Sequence, residues 1–220
     1  MDVDVAAYQR DGFVLLPRVF SAETIAGLAA DVDAIAETDA DTRAWNGPWV
    51  RDFRLTRKHT LVTKHQMHTR FPRWAEAVQQ PVLCRAAEAV LRVARVTVRE
   101  VTMVVKPPET GQPFPVHQDA AYYGHGEAPS VLAVVHLDDT HHENGALRFL
   151  PGAHTRGLYA HTTHGGKAHM DRGTFRIEDT VEVPARVGDV VLFSLYTPHA
   201  SYPNRSQAQR RTARIWYQAA

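Results

Sequence analysis

From residue 96 to its end the chain is a run of short segments rich in Val, Ile, Thr and aromatics, cut apart by turn signals. That rhythm does most to restrict the fold. The segments are residues 96–106, 131–137, 146–150, 180–183, 190–195 and 211–217, separated by Pro107-Pro108, Glu143-Asn144-Gly145, Pro151-Gly152 and Gly188-Asp189 among others. β-Branched and aromatic side chains suit a pleated surface, while Pro, Gly and Asn supply turn geometry. Ahead of residue 96 the pattern is largely helical. Ser21 is placed to cap a helix whose apolar residues Ile25, Leu28, Val32 and Ile35 recur at helical spacing, with Asp31, Asp33 and Glu37 on a solvated opposite face. Pro72 and Pro81 stand where helices can begin, and residues 82–93 carry a helical apolar pattern. Short strands are expected at 13–16, after the Asp11-Gly12 turn, and at 61–64. Helices first and many short strands after predict a β-sandwich or jelly roll with helices packed on one side. Residues 38–58 and 153–179 are polar and rich in turn formers, and are expected as long loops, the first carrying Trp45 and Trp49.

A length of 220 residues suits one domain, 1–220, with a helical part to about residue 95 and a β core over about 96–218. Net charge is +1 with both signs interspersed, which argues against a nucleic-acid or anionic-membrane surface. The acidic N-terminus lacks the cationic and apolar regions of a signal peptide, and no apolar stretch reaches membrane-spanning length. Cys84 is the single cysteine, which excludes an internal disulfide and suits a reducing cytoplasm.

The chemistry-bearing pattern is His117-Gln118-Asp119, followed by His199 eighty residues after Asp119. Residues 117 and 119 of an extended segment share a face, so both side chains can reach one ion. Two imidazoles and a carboxylate form the ligand set of non-haem iron(II) sites, which keep positions open for other ligands. Because the chain has 13 histidines, His-x-Asp alone is a weak signal. Arg210 follows His199 by eleven residues, at the start of a strand, where a forked guanidinium would suit a dicarboxylate co-substrate. Arg214 shares its strand face, and Arg211 is the nearest competitor for that role.

Here a resemblance becomes specific. Lys106-Pro107-Pro108-Glu109-Thr110-Gly111, His117-Gln118-Asp119, Glu143-Asn144-Gly145-Ala146-Leu147, Leu150-Pro151-Gly152-Ala153-His154, residues 188–193, His199-Ala200-Ser201 and Pro203-Asn204-Arg205-Ser206 stand in the order and spacing of one family. The chain resembles the phytanoyl-CoA dioxygenase family of iron(II)/2-oxoglutarate-dependent oxygenases over nearly its whole length. The resemblance implies a mainly β fold with flanking helices around a double-stranded β-helix (jelly roll, cupin-like) core. It implies that His117, Asp119 and His199 hold Fe(II), and that Arg210 pairs with the distal carboxylate of 2-oxoglutarate. Lys64 resembles a family lysine that also contacts this co-substrate, and Thr102, Gln118 and Ser201 fall at positions that line its pocket. With O2 as the other co-substrate, such an enzyme couples decarboxylation of 2-oxoglutarate to succinate and CO2 with hydroxylation of a small molecule. The presence of Asp119 favours hydroxylation over halogenation, and the family's frequent tryptophan near Val134 is absent.

The mixture of Trp, His, Arg and Tyr in residues 38–70, 120–130 and 153–179 suits a polar or mixed small substrate, such as a natural-product intermediate or modified amino acid, with an acyl thioester behind. Two rival readings are a cupin-like metal enzyme without 2-oxoglutarate chemistry and a non-catalytic binding module. His136, His141 and His142 are expected at strand ends or on the surface. His154 is a turn residue with a structural or catalytic role, and His59, His65 and His68 flank Lys64 near the pocket.

Overall fold

A computed structural model describes residues 3–43, 53, 55, 59–123, 128–164, 167–171 and 173–220. In chain order its helices are α1 (Val5–Asp11), α2 (Ala22–Thr38), α3 (Met67–Arg70), α4 (Pro72–Ala77), α5 (Pro81–Leu91) and α6 (Ala120–Tyr123). The strands are β1 (Phe13–Leu16), β2 (Asp41–Arg43), β3 (Leu61–Lys64), β4 (Val96–Lys106), β5 (Phe114–His117), β6 (Ser130–His136), β7 (Leu147–Phe149), β8 (His161–His164), β9 (Lys167–Met170), β10 (Val181–Val183), β11 (Val190–Ser194), β12 (His199–Ser201) and β13 (Arg210–Ala219). A major sheet runs β1-β11-β6-β13-β4-β3-β2, and a minor sheet β10-β7-β12-β5 faces it, both antiparallel in every pairing; β8 and β9 form a separate hairpin. This is the expected jelly roll with helices on one side. Trp45 and Trp49 lie outside the described residues.

Strand periodicity explains how the sheet serves two cores. Val101, Met103 and Val105, with Val131, Ala133 and Val135 and with Ala213, Ile215 and Tyr217, face the helices. There they pack with Ile25, Leu28, Val32, Ile35, Trp74 and Leu83. The alternate residues face the minor sheet. Along β6 and β11 these are apolar up to His136 (Leu132, Val134, Val191 and Phe193, packed on Phe149), with Trp216 closing one end. Along β4 and β13 they are, Val104 apart, polar: Thr102, Lys106, Arg210, Thr212 and Arg214. The barrel interior is therefore largely apolar on one side and largely polar on the other.

Ser21 caps α2 as expected, its hydroxyl accepting the Thr24 amide at 3.1 Å, and Pro72 and Pro81 occupy the first turns of α4 and α5. Two expectations are corrected. Asp31 is buried rather than solvated, because Arg73 of α4 crosses α2 and meets it at 2.9 Å. His136 ends β6, one of the places expected for it, and is fully buried, since even-numbered β6 residues point into the barrel. Residues 153–179 are not all loop: Thr162 pairs with His169 within the β8–β9 hairpin, whose histidines and threonines hid the strand pattern in polar composition. Among the described residues no helix is long and apolar enough to cross a membrane.

Candidate metal centre and active site

β5 and β12 are neighbours in the minor sheet with His117 directly opposite His199, and their ring centroids are 4.1 Å apart. Asp119 follows where β5 ends, and the next amide, Ala120 N–H, donates to the Leu195 carbonyl at 3.0 Å, tying this corner to the chain leading into β12. His117 Nε2 lies 4.0 Å from Asp119 Oδ1, and His199 Nε2 lies 3.8 Å from Asp119 Oδ2. One donor atom from each residue falls within 4.8 Å of the other two, and all three side chains are buried.

The protonation states suit a cation. His117 Nδ1 is 2.8 Å from the Pro115 carbonyl and His199 Nδ1 is 3.0 Å from the Thr197 carbonyl. A carbonyl only accepts, so each ring carries its proton on Nδ1 and turns the Nε2 lone pair inward. Burial, then the neighbouring His199, pushes the His117 imidazole down to about 3, and burial also lowers His199, so both are neutral. Burial would raise the Asp119 carboxyl, but the charge and hydrogen bond of Arg214 overcome it and hold the group below its ordinary range. Asp119 Oδ2 is buried without a hydrogen-bond partner. An orphaned carboxylate oxygen beside two inward lone pairs fits a divalent ion of the non-haem iron type.

A second polar group lies two residues further along the same face of β12. Ser201 Oγ accepts from Lys106 Nζ at 2.7 Å, and Lys106 also donates to the Tyr202 carbonyl. Arg210 lies opposite Lys106 in the β13–β4 register, donating to the Gly145 carbonyl and the Thr212 hydroxyl, both at 2.9 Å. Lys106 is 0% and Arg210 2% exposed, and among the described residues neither forms an ion pair. Arg210 Nε has no partner, nor does Nε2 of the adjoining His136. Burial, then the charge of Arg210, lowers Lys106 well below the usual range; burial brings Arg210 down to about 10. Like charges directly opposite on a sheet repel, and an unpaired buried ion costs several kcal/mol. Such a pair calls for an anion. At roughly 3.3 Å per residue it sits about 7 Å from His199 along β12, a reach suited to the far end of a short dicarboxylate.

Gly145 is part of this seat. Its φ is +79°, and a Cβ there would come within 2.3 Å of the Tyr202 carbonyl and 2.9 Å of Lys106 Nζ. Gly145→Ala should destabilise the protein by more than about 1 kcal/mol and displace Lys106. A urea denaturation curve beside a titration with 2-oxoglutarate checks both.

The structure gathers His117, Asp119 and His199 at one centre, with Arg210 and Ser201 at the second. Thr102 faces the same interior but bonds His65 Nδ1 at 3.1 Å, and His65 in turn meets Glu100 at 2.8 Å. Two expected residues are elsewhere. Lys64 lies opposite Met103, whose side chain is in the helix-packed core, so Lys64 emerges on that side and pairs with Asp39 at 2.9 Å. Gln118 points away from the faces of His117 and Asp119. Its amide nitrogen donates to Gly157 and Tyr196 carbonyls and its oxygen accepts from Tyr159 N–H, which makes it a clip for the following loop. His154 packs on the tight Asp11-Gly12 turn, 2.5 Å from where a Gly12 Cβ would stand, so its role there is structural. Sequence reasoning missed Lys106 as a site residue, although it shares the face of Thr102 at β-strand spacing. Arg214, on the strand face of Arg210, bonds Asp119 at 2.9 Å. A cavity of about 920 Å³, lined by Val116, Met170, Ile177 and Tyr202 among others, lies on the opposite face of the minor sheet from the triad.

The phytanoyl-CoA dioxygenase (PhyH) family matches residues 8–212. The chain belongs to that family. It is 27% identical over 225 residues to a Stutzerimonas stutzeri protein named "Probable alpha-ketoglutarate-dependent hypophosphite dioxygenase", a match covering 97% of this chain and 77% of that one. It is 27% identical over 234 residues to ectoine dioxygenase of Bordetella parapertussis, covering 97% and 73%. In fold it resembles EvdO2 from Micromonospora carbonacea var. aurantiaca, solved with 2-oxoglutarate (alpha-ketoglutarate), with a TM-score of 0.81 at 23% identity over 99% and 90% of the two chains.

Proposed function

We propose that this PhyH-family oxygenase holds Fe(II) at His117, Asp119 and His199, and holds 2-oxoglutarate with its distal carboxylate between Arg210 and Lys106. The observation that carries this reading is the buried Lys106–Arg210 pair, two cations that form no ion pair among the described residues, beside a convergent set of metal donors. Iron bound there supplies O2 activation coupled to oxidative decarboxylation of 2-oxoglutarate to succinate and CO2. The chain's own residues do the rest. Arg210 and Lys106 bind the distal carboxylate by charge-assisted hydrogen bonds, and the Ser201 hydroxyl orients the Lys106 ammonium. Two Nδ1–H bonds to backbone carbonyls fix the imidazoles in the ligating tautomer. Tyr122, 6.2 Å from the His117 ring, and Tyr123, tilted against Trp216 at 4.1 Å, wall the centre from water.

The oxidation we assign is hydroxylation of a small polar molecule, a natural-product intermediate or modified amino acid. In support, the wall by the triad mixes aromatic rings with Arg214, Glu100 and His65, and the named relatives are dioxygenases of small molecules. The whole chain, residues 1–220, acts as one catalytic domain in the cytoplasm, consistent with its one free cysteine. A cupin-like enzyme without 2-oxoglutarate, or a binding module, is not favoured, because both leave the paired cations without a purpose.

The test is succinate formation by purified protein with Fe(II), 2-oxoglutarate and air, screened against small polar metabolites. Slow basal turnover that a true substrate accelerates is expected. Iron-loaded protein that forms no succinate above the Asp119→Asn variant would remove the oxygenase reading.

A further inference from the structure

Arg214 stands on the interior face of β13 four residues beyond Arg210, opposite Thr102 of β4 and Val134 of β6. Its Nη1 donates to Asp119 Oδ1 at 2.9 Å and its Nη2 to the Tyr123 hydroxyl at 2.6 Å. The guanidinium also lies 5.8 Å from the centroid of the Tyr123 ring, which itself packs at a tilt against Trp216. The fork is thus held at two of its donors and one aromatic face, in a largely buried setting. Burial works against its charge, but Asp119, Tyr123 and Glu100 outweigh that and keep it firmly protonated.

This contact makes the two oxygens of Asp119 unequal: Oδ1 is engaged by the guanidinium, while Oδ2 is buried without a partner. We infer that Arg214 is a positioning residue that restricts Asp119 to one-oxygen ligation and so strengthens metal capture while keeping three coordination positions open. The inference rests on the iron(II) reading above. A carboxylate free to turn would offer both oxygens to the ion and occupy an additional position. A chelating co-substrate needs two open positions and O2 a third, so a two-oxygen Asp119 would leave the set one short. A fixed cation also aligns the carboxylate before the ion arrives, the effect by which partners of metal ligands typically carry roughly 10–100-fold in affinity.

The test compares full-length parent, Arg214→Met, Arg214→Lys and Tyr123→Phe proteins without turnover. Mn(II) affinity is read from the resonance of free Mn(II), and coordination from the visible spectrum of Co(II)-loaded protein. Arg214→Met should bind Mn(II) roughly 10–100-fold more weakly than the parent, with an altered Co(II) spectrum. Arg214→Lys keeps the charge but loses the fork, and should fall between the two. Tyr123→Phe, which loosens the guanidinium at one point, should weaken binding several-fold. Folded Arg214→Met with the parent's Mn(II) affinity and Co(II) spectrum overturns the inference, as does lowered apo stability with unchanged affinity. Should Arg214→Met not fold, Arg214→Lys decides the matter by the same criteria. A parent that binds neither Mn(II) nor Co(II) overturns the iron reading itself, which separates that failure from failure of the Arg214 role.

Discussion

Asp119→Asn protein should fold, retain the Arg214 contact through the amide oxygen, and bind Fe(II) at least 1000-fold more weakly than the parent, on the order beyond what an outer-shell partner carries. Asparagine keeps the shape of the side chain but removes the charge that balances the ion. His199→Ala should lose metal to a similar degree, because one of the two Nε2 donors vanishes. Neither change removes apolar packing from the helix-side core, so apo stability should change much less than metal affinity. Thermal unfolding with and without Co(II) reads both effects together. At 100 times Kd the ion should stabilise the parent by about 2.7 kcal/mol, while leaving Asp119→Asn unmoved. Equal stabilisation of both proteins would place the ion elsewhere.

The paired cations make a second and opposite pattern. Lys106→Met should raise the 2-oxoglutarate concentration needed for half-maximal succinate formation by about 10- to 100-fold, the range for losing a hydrogen bond to a charged group. Arg210→Met should do at least as much, since its two-pronged donor is lost. At saturating co-substrate kcat should change little, because the distal carboxylate is not the reacting end and its binding is uniform along the reaction. Apo stability should move the other way. Lys106 is fully buried opposite a second buried cation and forms no ion pair among the described residues, so replacing it with an apolar side chain of similar length should leave the apo-protein as stable or more so. Steady-state kinetics against 2-oxoglutarate and urea melts of the apo-proteins check the pair. A Lys106→Met enzyme with an unchanged co-substrate requirement would show that the anion sits elsewhere.

Position in the chain carried some of this site and hid the rest. His117 and Asp119 could be placed on one face because alternation in an extended segment is a local property. His199 could be joined to them only through the family spacing, since the β5–β12 pairing spans more than eighty residues. Lys64 and Lys106 show the limit most clearly. Both close a strand and both are preceded by β-branched residues. They differ in register: Lys64 pairs with Met103 on the helix side, while Lys106 pairs with Arg210 on the interior side. A shift of one residue reverses the face, and register is set by tertiary pairing that one sequence does not display. The same parity separates Arg211, which meets Asp138 and Asp33, from Arg210 and Arg214, which point inward. The helices were readable from Ser21, Pro72 and Pro81 because caps act locally. The β8–β9 hairpin was not, because His161, Thr162, Thr163 and His164 lack an apolar face to alternate.

The account stands most directly on one anaerobic titration: Fe(II) and then 2-oxoglutarate added to apo-protein, watched for the visible charge-transfer absorption of their complex. The parent should develop the band at one equivalent of each. Asp119→Asn should develop none, and Arg210→Met should need far more 2-oxoglutarate to reach the same intensity. Iron bound by the parent with no band at any 2-oxoglutarate concentration would contradict the account.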